Sequence, residues 1–397
     1  MHILTLNTGS SSLKFAVYDM SCTAPDGGAL LRSGAIEGIG SARSRARIRQ
    51  SDSEQTFDAS IPDRAAALSW LTRDLERERL WEQLSAVGHR IVHGGAAYRE
   101  PVRITADVRA ALQRLVPLAP VHLRDELHAV DVLAQLDPDL AQVACFDTAF
   151  HGGLPLEARW YGLPRALVEE GVMRYGFHGL SYEYIVRELR SRDALGMRTI
   201  VAHLGSGASM AALREGRSID TSMGLTPLGG FMMSTRSGDL DPGILLYLMR
   251  ERGRSLDDVS AMVTTAGGLL GLSGTSADMR DLLARCSADT RAAEAVSIFC
   301  YQARRFLGAY VAVLGGLDTL VFTGGIGEHA PIIRECICRD LDCVGIRIDP
   351  ARNDADAAII SERDARVTVH VIQTNEEFMI AHHTARVLRA NSEKDHD

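Results

Sequence analysis

The chain has 397 residues, of which 46% are hydrophobic and 24% charged, and a formal net charge of −8. That length exceeds one ordinary core and predicts two domains. The acidic balance excludes non-specific nucleic-acid binding, and no apolar run reaches the length of a bilayer span.

Residues 1–12, MHILTLNTGSSS, lack the basic and apolar regions of a signal peptide. The seven scattered cysteines read as reduced thiols, so a cytoplasmic protein without nucleic-acid or membrane partners is expected. Cys336, Cys338 and Cys343 lie close together, but not at the spacing of a zinc site. Residues 3–19 read as a hairpin. Ile3, Leu4 and Leu6 form one apolar strand and Phe15, Ala16 and Val17 the next, with Asn7-Thr8-Gly9-Ser10-Ser11-Ser12 between them. Gly9 permits a tight turn, and the turn offers backbone N–H groups and hydroxyls to an anion. Of 43 basic residues only Lys14 and Lys394 are lysines. A lysine just after the serines marks a place for a compact point charge rather than a planar fork. Taken alone, the stretch is equally a plain hairpin with a polar tip.

Residues 34–57 read as further short strands. Within them Arg43, Arg45, Arg47 and Arg49 fall two apart, on one strand face, and are read as solvated rather than as a nucleic-acid stripe. Residues 63–83 carry a helical stripe of Ala65, Ala66, Leu68, Leu71, Leu75 and Leu80. Residues 86–95, AVGHRIVHGG, read as a buried strand closing in a Gly-Gly turn. Arg90 inside it needs a partner or an anion, because an unpaired buried charge is costly. His89 and His93 read as structural. Residues 115–122, LVPLAPVH, read as a proline-bounded loop before a helix over 124–136. Residues 142–150, QVACFDTAF, form a strand ending at Asp147. Open α/β sheets place chemistry at such strand ends, although a capping carboxylate would look the same.

Residues 174–179, RYGFHG, set His178 at the start of a helix over 181–192. Residues 198–216, RTIVAHLGSGASMAALREG, then repeat the opening pattern of apolar strand, Gly/Ser turn and apolar return. Such a repeat suggests two related domains, each offering a donor-rich hairpin to a shared cleft. Residues 222–242 are irregular, rich in Gly, Met and Thr, and carry Arg236. A helix is expected over 242–251. Gly267, Gly268, Gly271 and Gly274 lead to Asp278-Met279-Arg280 at a helix entrance, and a long amphipathic helix follows over 290–314. Residues 320–329, LVFTGGIGEH, read as a strand, a glycine turn open to a flat or anionic ligand, and then a helix. Thr374 and Glu377 fit a capping box for the last helix, which leaves Glu376 without a local task.

Two Gly/Ser hairpins, a third glycine turn and a lysine together describe a nucleoside-triphosphate site. Phosphoryl transfer needs positioning and charge neutralisation more than covalent chemistry. Arg90, His178 and Arg236 could receive an anionic acceptor and stabilise the transferring group, Asp147 could act as base or nucleophile, and Asn7 and Glu376 could hold Mg2+ through its waters. The residues by themselves stop at a two-domain α/β phosphotransferase or ATPase. A nonenzymatic nucleotide-gated module is the reading from another class, and it leaves Arg90, Asp147, His178 and Arg236 unexplained as a set.

The motifs carry a resemblance further. NTGSSSLK at 7–14, GHRIVHGG at 88–95, FDTAFH at 146–151, RYGFHG at 174–179, HLGSGAS at 203–209, TRSGDLDP at 235–242, DMRDL at 278–282, FTGGIGE at 322–328 and TNEE at 374–377 follow one another in order. In these the chain resembles the acetate kinase family, of the acetate and sugar kinase, Hsc70 and actin superfamily. The resemblance implies a two-domain α/β actin-like, ribonuclease H-like ATPase fold with duplicated domains and an interdomain cleft. The first domain would span 1–147, with helix 378–397 packing back on it, and residues 148–377 would form the nucleotide-binding and dimerisation domain. The implied reaction is reversible transfer of the ATP γ-phosphoryl group to acetate, with propionate or butyrate as alternative acceptors, and with Mg2+ or Mn2+.

By the same resemblance Asn7 and Glu376 serve the metal, Lys14 meets nucleotide phosphate and Arg90 meets the acceptor carboxylate. Asp147, His178 and Arg236 are catalytic. Val92, Val121, Phe177 and Pro227 line a small acyl pocket. His203, Leu204, Gly205, Ser206 and Gly207, then Asp278, Met279 and Arg280, then Gly325, Ile326, Gly327, Glu328 and His329, bind nucleotide. A homodimer through the second domain is implied. The chain departs from the family pattern at Leu123-Arg124 for Asn-Pro, Leu180 for Thr, Tyr182 for His, Ser206 for Asn, Gly229 for Glu, Ser234 for Gly and His329 for Asn.

Overall fold

The computed structural model describes residues 1–9, 11–21, 27–41, 44–50 and 53–394. Ser10 and Arg43, singled out in the sequence, lie outside the described residues, as do 395–397 of the expected last helix. The chain divides into two compact units, Met1–Ala149 with Asn375–Asp397, and Phe150–Thr374.

The first unit holds strands β1 (His2–Thr8), β2 (Ser12–Asp19), β3 (Ala29–Glu37), β4 (Ser44–Gln50), β5 (Ser53–Ala59), β6 (Leu84–Ile91), β7 (Val102–Arg103) and β8 (Ala141–Phe146). They form one sheet in the order β5-β4-β3-β2-β1-β6-β8-β7. The second unit holds β9 (Arg198–Leu204), β10 (Ala208–Arg214), β11 (Arg217–Thr221), β12 (Thr319–Thr323) and β13 (Thr368–Val371), in the order β11-β10-β9-β12-β13. The two sheets share a plan. In each, an antiparallel meander (β1-β2-β3; β9-β10-β11) continues into two parallel strands (β6 and β8; β12 and β13). The repeat read in the sequence is therefore a duplicated α/β domain.

Burial explains the element types. β1 and β9 are buried almost along their whole length, as central strands covered on both faces must be. In the first unit Leu4, Leu6, Phe15, Val17 and Val87 pack with Leu68, Leu71 and Leu75 of the helix Arg64–Arg77 and with Leu133 of the helix Pro120–Leu136. In the second, Tyr182, Ile185 and Leu189 of the helix Gly179–Ser191 pack on Val201, Ala211, Leu213 and Val321. The helix Glu376–Lys394 packs on β1, β6 and β8 of the first unit.

Several local expectations need correction. The helix expected over 63–83 ends at Arg77, and Arg79 takes a left-handed φ of 55° that breaks it. The expected loop at 115–122 is a 3-10 turn, Val116–Leu118, running into the helix Pro120–Leu136. Proline at the first helical position lacks only an N–H that the helix would leave unpaired. Val121 and His122 are thus helical. The glycine turn before a helix at 324–327 is itself the helix Gly324–His329, and the glycine run after 267 contains the helix Gly268–Ser273. The helices Ala106–Leu115 and Leu256–Thr264 were not foreseen. The capping box at Thr374 does not form: Asn375 caps the helix, its Oδ1 accepting from Phe378 N at 2.9 Å, while Thr374 bonds Ser181 instead.

Arg45, Arg47 and Arg49 stand on the exposed side of β4 and pair across strands with Asp58, Glu37 and Glu54. Among the described residues no helix is long and apolar enough to cross a membrane, and no group of three or more His, Cys, Asp or Glu is placed to hold a metal ion.

Candidate active site

In the first unit the site gathers at the C-terminal ends of β6 and β8. Arg90 lies one residue before the end of β6 and Asp147 one residue beyond β8, which pairs in parallel with it. Parallel register thus brings together two residues far apart in sequence. Asp147 is fully buried, and the fork of Arg90 grips it: Nε donates at 3.1 Å to Oδ1 and Nη2 at 2.5 Å to Oδ2. Arg90 Nη1 donates at 3.1 Å to Asn7 Oδ1, and Asn7 Nδ2 donates at 3.0 Å to Glu376 Oε2. Glu376 in turn lies 4.0 Å from Arg90 Nε. Burial opposes the charge on Arg90, but Asp147 and Glu376 outweigh it and raise its pKa.

Asn7 and Lys14 face each other across the β1–β2 pair, and Lys14 is exposed. Glu377 beside Glu376 is half-buried. Burial and the Glu376 charge push its carboxyl up, with Lys14 and Arg90 opposing. Asn7 and Glu376, expected from the sequence to serve a metal, suit a hard cation that keeps most of its water. Glu376 supplies a carboxylate and Asn7 an amide oxygen; the two side chains are joined through Asn7 Nδ2, which donates to Glu376 Oε2, and they stand beside the lysine expected at the same hairpin to bind phosphate. Val92 is buried and its N–H is held by Glu126, whereas Val121 is exposed on the first turn of its helix.

In the second unit His178 caps the helix Gly179–Ser191 in a left-handed conformation, φ 58°. Its Nδ1 bonds Ser209 Oγ at 2.8 Å, and Ser209 Oγ also bonds Tyr182 OH at 2.5 Å. The departure at Tyr182 therefore supports the predicted catalytic histidine. His203 stacks on His178 at 4.4 Å and bonds Ser181 through Nδ1. Arg236 donates from Nη1 to Pro227 O at 2.8 Å. His178 and Arg236 converge on Gly207: a Cβ there would lie 3.3 Å from His178 Nε2 and 3.4 Å from Arg236 Nη2. Glycine at this position leaves open the space to which both side chains point.

The two glycine segments of this unit are neighbours, because β9 and β12 pair with Thr323 opposite His203. Gly324, at φ 76°, abuts the Leu204 backbone, where a side chain would collide. Glu328 is turned inward, its Oε1 accepting from Gly324 N at 2.9 Å and Thr374 N at 3.2 Å. Gly325 is open, Ile326 half-buried, Gly327 buried and His329 exposed. Asp278 caps the helix Met279–Arg285 and pairs with exposed Arg280, while Met279 is buried. Leu204 is buried, and Phe177, also buried, accepts at its carbonyl from His151 Nε2 at 3.0 Å. Gly205 N donates to Gly207 O, and exposed Ser206 accepts at its carbonyl from Ser234 N, so two of the departures touch.

Sequence reasoning missed Glu126. It falls between Leu123, Leu127 and Val130 on the apolar stripe of the helix Pro120–Leu136, and a carboxylate on such a stripe is the signal that could have found it.

The profile of the acetokinase family matches residues 2–382. The chain belongs to the acetokinase family. Acetokinase relatives include the acetate kinase of Rhizobium meliloti, 46% identical over 398 residues and covering 98% of each chain. The acetate kinase of Rhodopseudomonas palustris (strain TIE-1) is 45% identical over 399 residues, covering 97% of this chain and 98% of its own. Among solved acetokinase structures, the Porphyromonas gingivalis acetate kinase superposes with a TM-score of 0.85 at 36% identity, covering 98% of this chain and 99% of its own. A propionate kinase from Francisella tularensis subsp. tularensis SCHU S4 superposes with a TM-score of 0.89 at 35% identity, covering 96% and 98%. This acetokinase is accordingly a kinase, a phosphotransferase.

Proposed function

We propose that this acetokinase transfers the γ-phosphoryl group of ATP to acetate, reversibly, giving acetyl phosphate and ADP. The observation that carries the reading is the Arg90–Asp147 pair. Arg90 already holds an internal carboxylate in its fork, the geometry an acetate acceptor needs, with one more N–H on Asn7. In the forward direction an acetate oxygen bonds to the γ-phosphorus as the bond from that phosphorus to the β-bridging oxygen breaks. The residues assigned to this step act by orientation and charge. Arg90 binds the acetate carboxylate, and Val92, Val121, Phe177 and Pro227 enclose its methyl group. Asp147 orients Arg90 and balances its charge. His178 and Arg236, which both point to the space left at Gly207, donate to the equatorial oxygens of the transferring group.

Lys14 and segments 203–207, 278–280 and 325–329 hold the nucleotide. Of these, Leu204, Met279 and Glu328 contribute through backbone and packing, because their side chains are buried, and Gly327 through its backbone. Asn7 and Glu376 would hold Mg2+, or Mn2+ in its place, which neutralises phosphate charge when bound. In domain terms we assign residues 1–147, with the helix that returns after 377, to a first domain, and residues 148–377 to a second domain that carries most of the nucleotide contacts and the dimer face. We assign the work to the cytoplasm, where ATP is available.

We further propose a homodimer through the second unit. The helix Pro242–Arg250 reads PGILLYLMR and buries none of its side chains. Ile244, Leu246, Tyr247 and Met249 on it are exposed, an apolar face that a second copy would cover.

The test is ADP release with and without acetate, in the wild type and in Arg236→Ala. Acetate-dependent release that falls at least about a hundredfold in kcat for the variant supports the mechanism. Release that ignores acetate, or a variant that matches wild type, overturns it. The likeness to a propionate kinase makes propionate the first competing acceptor to test. Comparing kcat/KM for acetate, propionate and butyrate decides between them, since one methylene is worth about 1–3 kcal/mol.

A further inference from the structure

Glu126 is a carboxyl group in an unusual place. It lies on the helix Pro120–Leu136, 2% exposed, among Leu123, Leu127 and Val130. Its Oε2 accepts from Val92 N at 3.0 Å, two residues beyond Arg90. Its Oε1 is buried with no hydrogen-bond partner. The charged groups acting on it are Arg90 from β6, Asp147 beyond β8 and Asp125 on its own helix. Asp125 is paired with Arg64 of the helix Arg64–Arg77. Arg90 meanwhile is committed to Asp147, with Glu376 close by. An ionised Glu126 would therefore add a buried negative charge to a cation that Asp147 already balances.

We propose that Glu126 is a positioning residue of the acceptor site: as a neutral carboxylic acid it holds the Val92 peptide with one oxygen, and its neutrality leaves Arg90 able to receive an anionic acceptor. Loss of its proton places a further negative charge beside Arg90 and repels a carboxylate substrate. Burial pushes its pKa up to about 8, with Asp147 and Asp125 adding to the rise and Arg90 and the Val92 N–H opposing it. The proton is thus held at neutral pH and released just above it. The inference rests on the carboxylate-kinase reading and adds a specific pH dependence to it.

The experiment measures kcat and the acetate KM at pH 7 and pH 9, with saturating Mg-ATP, in wild type, Glu126→Gln and Glu126→Ala. A group titrating near pH 8 raises the wild-type acetate KM about tenfold between these values, while kcat, read at saturating acetate, moves far less. Glu126→Gln keeps the shape and cannot ionise, so its ratio of the two KM values falls to about one. Glu126→Ala loses the Val92 contact as well and raises KM at both pH values. A ratio in Glu126→Gln equal to that of wild type overturns the inference alone. Absence of acetate-dependent turnover in wild type at both pH values overturns the parent reading and this inference together. Where Glu126→Ala fails to fold, the Gln variant still decides.

Discussion

At the scale of single residues the chemistry depends on charges whose neighbours are tightly specified. Asp147 is buried and touches a guanidinium through both oxygens, so replacing it by Asn keeps the shape and removes the countercharge. Asp147→Asn is expected to lower kcat by about 100-fold or more at saturating acetate. A kcat within threefold of wild type would remove Asp147 from the mechanism. The buried histidines set a second dependence. His89, bonded to Gln142, and His151, bonded to Ser218 and the Phe177 carbonyl, are both driven by burial to a pKa of about 4, below the ordinary 6.5. The folded chain keeps them neutral, whereas the unfolded chain takes up protons as soon as pH falls below about 6.5. Their contribution is therefore present above pH 6.5 and lost as pH falls from 6.5 towards 4, by up to about 3 kcal/mol each. Urea midpoints between pH 7 and pH 4.5 should drop, and His89→Gln should make that drop shallower. An unchanged slope in the variant would refute the assignment.

At the scale of elements, strand ends and helix starts do the positioning. The end of β9 runs into 205–207, the end of β12 into Gly324, and β6 and β8 deliver Arg90 and Asp147. Because β9 and β12 pair, their following turns lie side by side. Gly207 is the sensitive point. A methyl group there would meet both His178 Nε2 and Arg236 Nη2 at 3.3–3.4 Å, tight enough to displace them. Its φ is not among the left-handed glycines, so the backbone itself tolerates alanine. Gly207→Ala is expected to lower kcat by about tenfold or more while the Tm moves by only a few degrees. A large fall in Tm with kcat preserved would show that the glycine serves packing instead.

At the scale of the whole molecule, one fold plan occurs in both units, and the units have divided their work. The first keeps the Arg90–Asp147 pair and the buried carboxyl of Glu126, while the second carries the His178–Ser209–Tyr182 relay and the glycine segments. The second also displays the apolar helix Pro242–Arg250, whose side chains are all unburied. If a second copy covers that helix, Leu246→Glu and Tyr247→Glu together should shift the sedimentation coefficient from dimer to monomer at micromolar protein. A wild-type chain that sediments as a monomer, or a variant that remains a dimer, would exclude this face.

The opening hairpin, the repeat at 198–216, the irregular stretch around Arg236 and the helix Thr290–Leu314 were legible in the chain itself, because apolar periodicity and glycine placement are local properties. So were Arg90 and Asp147 as residues in need of an explanation. Where helices began was less legible. Pro120, Gly268 and Gly324 read as breakers, yet each stands at a helix start, where an absent N–H or a left-handed φ costs little. The pairings belonged to tertiary structure alone. Parallel register brings Arg90 to Asp147, the returning helix brings Glu376 to Asn7 across 369 positions, and packing of one helix seals Glu126 against Val92. Residue type and spacing determine which groups a site can contain. Burial and charge balance, which arise only when distant segments meet, decide which of them are ionised and what they hold.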